Sequence, residues 1–377
     1  MLHTGLDLFT ASPPAELRTA RLGLVSHAAA ILLDLADAVD ALRAAGYTLT
    51  ALFGPEHGFG GAAADGLKVD DATDPRTGLP VFSLYGANVE PTAAMLANVD
   101  ALVFDMQDVG VRFYTYLSTL FHVLRGAGKA GKAVFVLDRP NPITGNILEG
   151  GEIEAGCESF VGIVNIPIRH GMTLGELAVF MNAEYALGAD LRVIAMQGWR
   201  RAMWFDETGL PWAPPSPAMP HLSTAILYPG MCLLEGTPLS LGRGTSLPFE
   251  ICGAPGLDGR ALAESLNALH LPGVRFRPIV FTPWASRHSG RECGGVQVHV
   301  TDRNSLRPVS MALHLLAAAR RLWRGEWAWE AHFDRLTGGS AVRLALERGD
   351  DPQEIAAAWE TFLADFARCR QKYLLYP

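Results

Sequence analysis

Six short apolar runs mark the first half of the chain: Leu22–Val25, Leu49–Phe53, Val81–Leu84, Ala101–Phe104, Ala133–Leu137 and Leu191–Ala195. They are apolar at consecutive positions, so strands built from them must be covered on both faces. Helical spacing fills several of the gaps. Leu32, Leu35, Val39 and Leu42 recur at steps of three and four, as do Leu174, Leu177, Met181 and Tyr185. Phe113–Gly128 predicts another helix closed by glycines, and Thr173 with Glu176 forms a T-x-x-E capping box. Buried strands separated by amphipathic helices imply a parallel sheet sheathed on both sides, an α/β, Rossmann-like domain.

The segment Pro211–Pro220 holds five prolines in ten residues and can be neither helix nor central strand. It divides the chain into residues 1–220, the Rossmann-like catalytic domain, and 221–377, a smaller α/β domain that closes a cleft. Glycine-rich loops run to Pro255 in the second part. Strands are expected near Arg275–Phe281 and Gly295–Val300, with helices near Arg260–Leu269, Val309–Arg324 and Pro352–Tyr373. The pattern predicts a separate core for this domain.

At 377 residues, 49% hydrophobic and 19% charged, the chain is a folded globular protein. Its net charge of −8, with no basic block interleaved with aromatics, argues against nucleic acid as a partner. The five cysteines, Cys157, Cys232, Cys252, Cys293 and Cys369, are odd in number and include no C-x-x-C pair, against a disulfide framework or structural zinc. No apolar stretch reaches membrane-spanning length, and the start MLHTGLDLFTASPP lacks a signal-peptide pattern. The expectation is a soluble, cytoplasmic protein, or an extracellular or periplasmic one if a leader has been removed.

After the first strand comes Ser26-His27-Ala28-Ala29-Ala30, where a dinucleotide fold needs G-x-G-x-x-G. Without that loop no nicotinamide or flavin cofactor is expected. Neither HExxH nor G-x-S-x-G is present. Acidic clusters follow three strands instead: Glu56 and His57 in GPEHG at 54–58, Asp105 and Asp108 in DMQDVGVR, and Asp138 in DRPNP. A single aspartate at such a place is often a helix cap. Three converge at one sheet edge, where open α/β sheets bind ligands. Arg169-His170-Gly171 resembles the motif of histidine phosphatases, but lies at mid-chain before a capped helix. Trp199, Trp204 and Trp212 offer sugar-stacking rings, although core packing is their commoner use.

Seven stretches, in order, carry a more specific signal: GPEHGFGG (54–61), FDMQDVGVRFYTY (104–116), VLDRPNPITG (136–145), IPIRHGMTLGE (166–176), PPSPAMP (214–220), YPGMCLLEGTPLSLGRGTSLPFE (228–250) and GAPGLDG (253–259). Together they resemble the exo-β-N-acetylmuramidase family, glycoside hydrolase family 171. Ala218 stands where the family pattern has asparagine. The resemblance implies a Rossmann-like domain, a smaller second domain and a cleft between them. It also implies release of N-acetylmuramic acid from the non-reducing end of peptidoglycan fragments, including the disaccharide with N-acetylglucosamine; no cofactor or metal is expected, since the cofactor loop and short metal-ligand spacings such as H-x-x-x-H are absent. Glycoside cleavage commonly uses two carboxyl groups, one protonated. Glu56 is then the expected acid, and Asp105 or Asp108 a base, nucleophile or orienting group, with Glu250 behind them. Substrate assistance by the N-acetyl group stays open.

The lactyl carboxylate of muramic acid calls for an arginine, and Arg139, Arg169 and Arg243 are the candidates. Arg243 ranks last because glycines flank it. His57, His170, Tyr114, Tyr116 and Asn141 are expected to read hydroxyls and the amide, and Gln107, Arg112, Asp138 and Glu235 complete the candidate set. Two rival readings remain. One is a metal-dependent hydrolase using Glu56, His57, Asp105 and His170. The other is a non-catalytic amino-sugar-binding protein.

Overall fold

A computed structural model describes residues 2–377. Seven strands form the larger sheet: β1 (Arg21–Ser26), β2 (Thr48–Gly54), β3 (Ala72–Thr73), β4 (Pro80–Ser83), β5 (Ala101–Asp105), β6 (Ala133–Leu137) and β7 (Asp190–Ile194). Their order is β3-β4-β2-β1-β5-β6-β7, and every pair is parallel except β3 with β4. Leaving out the two-residue β3, this is the doubly wound order, with the chain running outward on either side of β1. Helices Gly5–Ala11 and Ala38–Ala44 cover one face, and Tyr116–Ala130 and Leu174–Glu184 the other. Both faces of β1 and β5 are buried, as their unbroken apolar runs require.

A second sheet, antiparallel and three-stranded, joins β8 (Ile251–Ala254), β9 (Val274–Phe281) and β10 (Cys293–Val300) in the order β8-β10-β9. Helix Gly259–Asn267 packs on β9 and β10, and helix Pro308–Leu322 rests on it and on Leu222–Met231. The separate second core expected from the sequence does not form. One apolar cluster continues from Val25 and Phe53 through Tyr228 to Val296 and Phe366.

Two helices differ from the periodic reading. Leu32 and Leu35 are not helical: Asp37 caps the helix by accepting from Asp40 N–H, and Leu35 takes a left-handed φ of 71° with 64% of its surface exposed. The segment Pro352–Tyr373 forms two helices, Pro352–Ala357 and Glu360–Arg370, not one. Helix Leu222–Met231 lies where only loops were expected and carries Pro229 in its last turn.

The switch point between β1 and β5 is filled by protein. His27, just past β1, accepts from Gln107 N–H at 2.9 Å, and its Nδ1 lies 3.4 Å from Pro215 O. Burial and then the Arg139 charge push its imidazole down to about 3, so it is neutral. Asp105, ending β5, pairs with Arg139 at 2.5 Å, and Tyr116 donates to Pro215 O. The proline-rich segment therefore seals the crevice in which a dinucleotide would lie.

Candidate active site

The cavity that gathers the most reactive side chains opens one strand away, beyond β2. Here the GPEHG sequence makes a tight turn, with Gly58 N–H donating to Pro55 O at 2.9 Å. His57 and Gly58 take positive φ of 71° and 76°. A Cβ on Gly54 would come within 2.6 Å of Phe59 N, so the chain can fold back on itself only with glycine there. The turn points Glu56 and His57 into a cavity of about 190 Å³.

Glu56 is 8% exposed. Its Oε1 accepts from Gly66 N–H at 2.9 Å, and its Oε2 lies 2.7 Å from the Thr115 hydroxyl. An N–H can only donate, whereas a hydroxyl donates or accepts. A proton on Glu56 therefore has a natural place at Oε2, facing Thr115. The Tyr85 phenol, also in the wall, is pushed upward by burial and then by the Glu56 charge. His57 Nδ1 lies 2.8 Å from Ala63 O and must donate to that carbonyl, which leaves Nε2 an acceptor in the neutral ring. The Tyr114 hydroxyl is buried and makes no well-formed hydrogen bond, although the Ser216 and Tyr116 hydroxyls are close by.

The opposite wall comes from the second domain. Arg243 binds Glu235 at 2.6 Å and Asp65 at 3.0 Å, and its guanidinium lies 4.7 Å from the Phe249 ring centre. Burial alone would raise the Glu235 carboxyl, but Arg243 and His332, the latter 3.3 Å away, hold it below the ordinary carboxylate range. The glycines beside Arg243 serve close packing. A Cβ on Gly244 would lie 2.3 Å from Ala285 O, and one on Gly242 2.4 Å from Leu247 O.

Of the residues singled out from sequence, Glu56, His57, Tyr114, Glu235 and Arg243 meet at this cavity. The others lie outside its wall and hold the scaffold. Asp105 and Arg139 pair beneath the switch point, and Tyr116 anchors Pro215. Gln107 donates to the carbonyls of Asp108 and Pro140. Arg112 donates to the carbonyls of Gly151, Ile166 and Leu336, and burial pushes it down to about 9. Asp138 accepts from Thr173 Oγ1 at 2.7 Å and Gly175 N–H at 2.8 Å, fixing the start of helix Leu174–Glu184, and the Tyr376 hydroxyl donates to the same oxygen as Thr173. Asn141 donates to Met172 O, and Arg169 donates to Ile143 O while lying 3.7 Å from Glu149. Glu250 accepts from the hydroxyls of Ser223 and Thr224. Trp199 and Trp204 are core residues, each 2% exposed.

Asp108 and His170 form a buried pair, Oδ2 to Nε2, at 3.9 Å. Burial raises the Asp108 carboxyl to about 7 against the opposing Gly110 and Val109 N–H groups, and lowers the His170 imidazole to about 3, helped by Arg370 and Arg112. The four residues of the metal-hydrolase reading thus fall at three places: Glu56 and His57 on the cavity, Asp105 on Arg139, and His170 on Asp108. Among the described residues, no three His, Cys, Asp or Glu side chains converge as ligands would. Nor, among them, is any helix long and apolar enough to cross a membrane.

Several wall residues were not singled out beforehand: Asp65, Tyr85, Thr115 and His332. Thr115 sits inside a stretch that carried the family resemblance. Asp65 and His332 belong to stretches with no motif, and only the tertiary fold brings them in.

Family models match both parts of the chain. The N-terminal model of exo-β-N-acetylmuramidase NamZ covers residues 22–223 and its C-terminal model residues 226–376. The chain belongs to the NamZ family. The peptidoglycan β-N-acetylmuramidase NamZ of Bacillus subtilis (strain 168) is 44% identical over 378 residues, covering all of this chain and 91% of that protein. Two crystal structures of DUF1343-family proteins from Bacteroides fragilis NCTC 9343 share the fold. One has a TM-score of 0.92 at 35% identity and the other 0.80 at 30%, each match covering 100% of this chain and 99% of the other.

Proposed function

We propose that this NamZ-family chain is an exo-acting β-N-acetylmuramidase that frees N-acetylmuramic acid from the non-reducing end of peptidoglycan fragments, with Glu56 as its catalytic acid. The observation that carries the assignment is the pairing of groups across one small cavity. A buried carboxyl stands on one wall, and Arg243, the one arginine lining the cavity among the described residues, stands on the other. An acid must protonate the leaving oxygen, and an arginine fork suits the lactyl carboxylate that distinguishes muramic acid from glucosamine.

The remaining roles follow from what each group can donate or accept. Tyr114, which lines the cavity, and His57, whose Nε2 is left to accept, are the residues we assign to the sugar's hydroxyl and acetamido groups. Glu235, kept ionised by Arg243 and His332, supplies negative charge to a cavity in which positive charge develops at the anomeric carbon. Asp105 and Asp108 have no such access, the first neutralised by Arg139 and the second buried against His170.

The test is incubation with the disaccharide of N-acetylmuramic acid and N-acetylglucosamine, following free N-acetylmuramic acid. Glu56→Gln should lower turnover by at least about 100-fold, the scale of a lost acid catalyst. Wild-type protein that binds the disaccharide without releasing sugar would replace the enzyme with a binder. Near-normal turnover by the variant on this natural substrate would remove Glu56 from the role. An activated aryl glycoside is unsuitable for that comparison, because its leaving group needs little protonation.

A further inference from the structure

The inner cavity, about 190 Å³, is smaller than the roughly 300–1,000 Å³ of ordinary ligand pockets. A second, more open cavity of about 370 Å³ lies directly outside it. Asp65, Glu235, Arg243 and His332 line both, so these four side chains form the partition between them. Three belong to the second domain. Asp65 alone comes from the first, on the loop that leaves the GPEHG turn.

That loop is fixed at two points. Ala63 exchanges hydrogen bonds with His57, N–H to O at 3.1 Å and O to Nδ1 at 2.8 Å, and Val69 N–H donates to Tyr85 O at 3.2 Å. Residues 64–68 between them are exposed. Two contacts tie this tip across the cavity: the Asp65 carboxylate on Arg243 at 3.0 Å, and Gly66 N–H on Glu56 Oε1 at 2.9 Å. Adjacent residues therefore hold the anion-binding arginine and the acid together.

Arg243 carries two carboxylates of unequal grip. Glu235 is 20% exposed at its side chain and binds through two guanidinium nitrogens, while Asp65 is 53% exposed and binds through one. A half-exposed ion pair contributes little and gives way readily, whereas uncovering a buried carboxylate is costly. An incoming carboxylate would take Asp65's place.

We propose that Asp65 is a placeholder for the substrate's carboxylate, and that its displacement from Arg243 opens the partition and draws Gly66 off Glu56. This rests on the reading of the cavity as a muramic acid site. While Gly66 donates to Oε1, that oxygen is held as the acceptor and the proton is favoured on Oε2. Once the tip moves, Oε1 is free to carry the proton toward the glycosidic oxygen. The substrate's carboxylate then does two things: it docks the sugar and it releases the acid. A sugar without the carboxylate leaves the strap closed. Asp65 is thus a specificity-determining and positioning residue, and no bond is made or broken at it.

The experiment compares wild type, Asp65→Ala and Asp65→Asn on two substrates whose leaving group needs protonation: the disaccharide of N-acetylmuramic acid and N-acetylglucosamine, and the same disaccharide with its lactyl carboxylate converted to the amide. For the acid substrate, both variants should lower KM by about three-fold, the worth of one exposed ion pair, with kcat little changed. For the amide, kcat should rise several-fold, because the strap no longer waits for a carboxylate. Inhibition by free N-acetylmuramic acid should strengthen in parallel. Variants that lose activity equally on both substrates, or that leave both KM values in place, would overturn the placeholder role. Retention of the native melting temperature by Asp65→Asn excludes misfolding as the cause. Failure of the wild type to cleave the acid substrate would instead sink the muramidase reading itself.

Discussion

The buried hydroxyl of Tyr114 illustrates how one group reveals its purpose by what it lacks. A polar atom taken out of water without a partner costs folding free energy, so a chain gains nothing by keeping it for stability alone. The Tyr114 ring needs only its edges, packed against Tyr116 and Tyr228 at 4.8 and 5.8 Å between centres. Tyr114→Phe keeps that packing and removes an oxygen that makes no well-formed hydrogen bond. The melting temperature should hold or rise, while kcat/KM on the muramyl disaccharide falls by about ten-fold, the value of one hydrogen bond to substrate. A lower melting temperature with unchanged kinetics would make the hydroxyl a structural group after all. Arg243 shows the limit of reading such residues from sequence. Its glycine neighbours suggest a slack loop, yet they are small because backbone atoms of Ala285 and Leu247 press against them. Nothing in a string of residues distinguishes a glycine needed for freedom from one needed for closeness. The same holds for Asp105 and Arg139, both suited to a sugar but satisfied by each other.

Elements obey the local rules where local rules dominate. The capping box at Thr173 forms as its spacing requires, with Thr173 N–H on Glu176 at 3.1 Å and Glu176 N–H on Thr173 Oγ1 at 3.2 Å. Periodicity fails at Leu32 and Leu35 because a stronger cap, Asp37, starts the helix later and leaves the earlier leucines in a loop. Helix Leu222–Met231 forms within a stretch whose glycines and prolines suggest loops, because a proline in the last turn still leaves most of the helix intact. On the proposed function, the element that matters most is the turn after β2. Its aim depends on Gly54, whose missing Cβ lets Phe59 N approach. Gly54→Ala should therefore push the turn outward and displace Glu56 by a fraction of an ångström or more. The expected result is a loss of about 100-fold or greater in kcat, the scale of a misplaced catalytic group. Gly46→Ala is the control, since that glycine has a φ of 88° but open space around it and precedes β2, at the opposite end of the strand from the site. It should cost stability and leave kcat alone. Equal kinetic losses in both variants would show that general destabilisation, not aim, is responsible.

At the scale of the whole molecule, the scaffold buries charge on a scale that composition does not disclose, and it does so in opposed sets. Burial raises three carboxyls: Asp108 to about 7, Glu149 to about 7 and Asp138 to about 6. Each contributes stability that is fully present below the unfolded value, near 4, and is lost as pH rises through its folded value. Burial also lowers three imidazoles: His27 and His170 to about 3 and His122 to about 4. Their contribution is present above the unfolded value, near 6.5, and is lost as pH falls toward the folded ones. Between pH 4.5 and 6.5, roughly, the two sets pull in opposite directions, and stability should be nearly flat there. Below about pH 4 the histidines and the ion-paired carboxylates act together, and the fold should fail steeply. Asp108→Asn tests the account, because asparagine can keep the hydrogen bond from Gly110 N–H while removing the titration. Relative to wild type, the variant should gain stability as pH rises from 4 to 7, by on the order of 1–4 kcal/mol across that window. Denaturant unfolding of both proteins at pH 5 and pH 8 measures this directly. Parallel changes in the two proteins would mean that Asp108 does not hold its proton in the native state, and the paired burial of Asp108 with His170 would then need an ionised description.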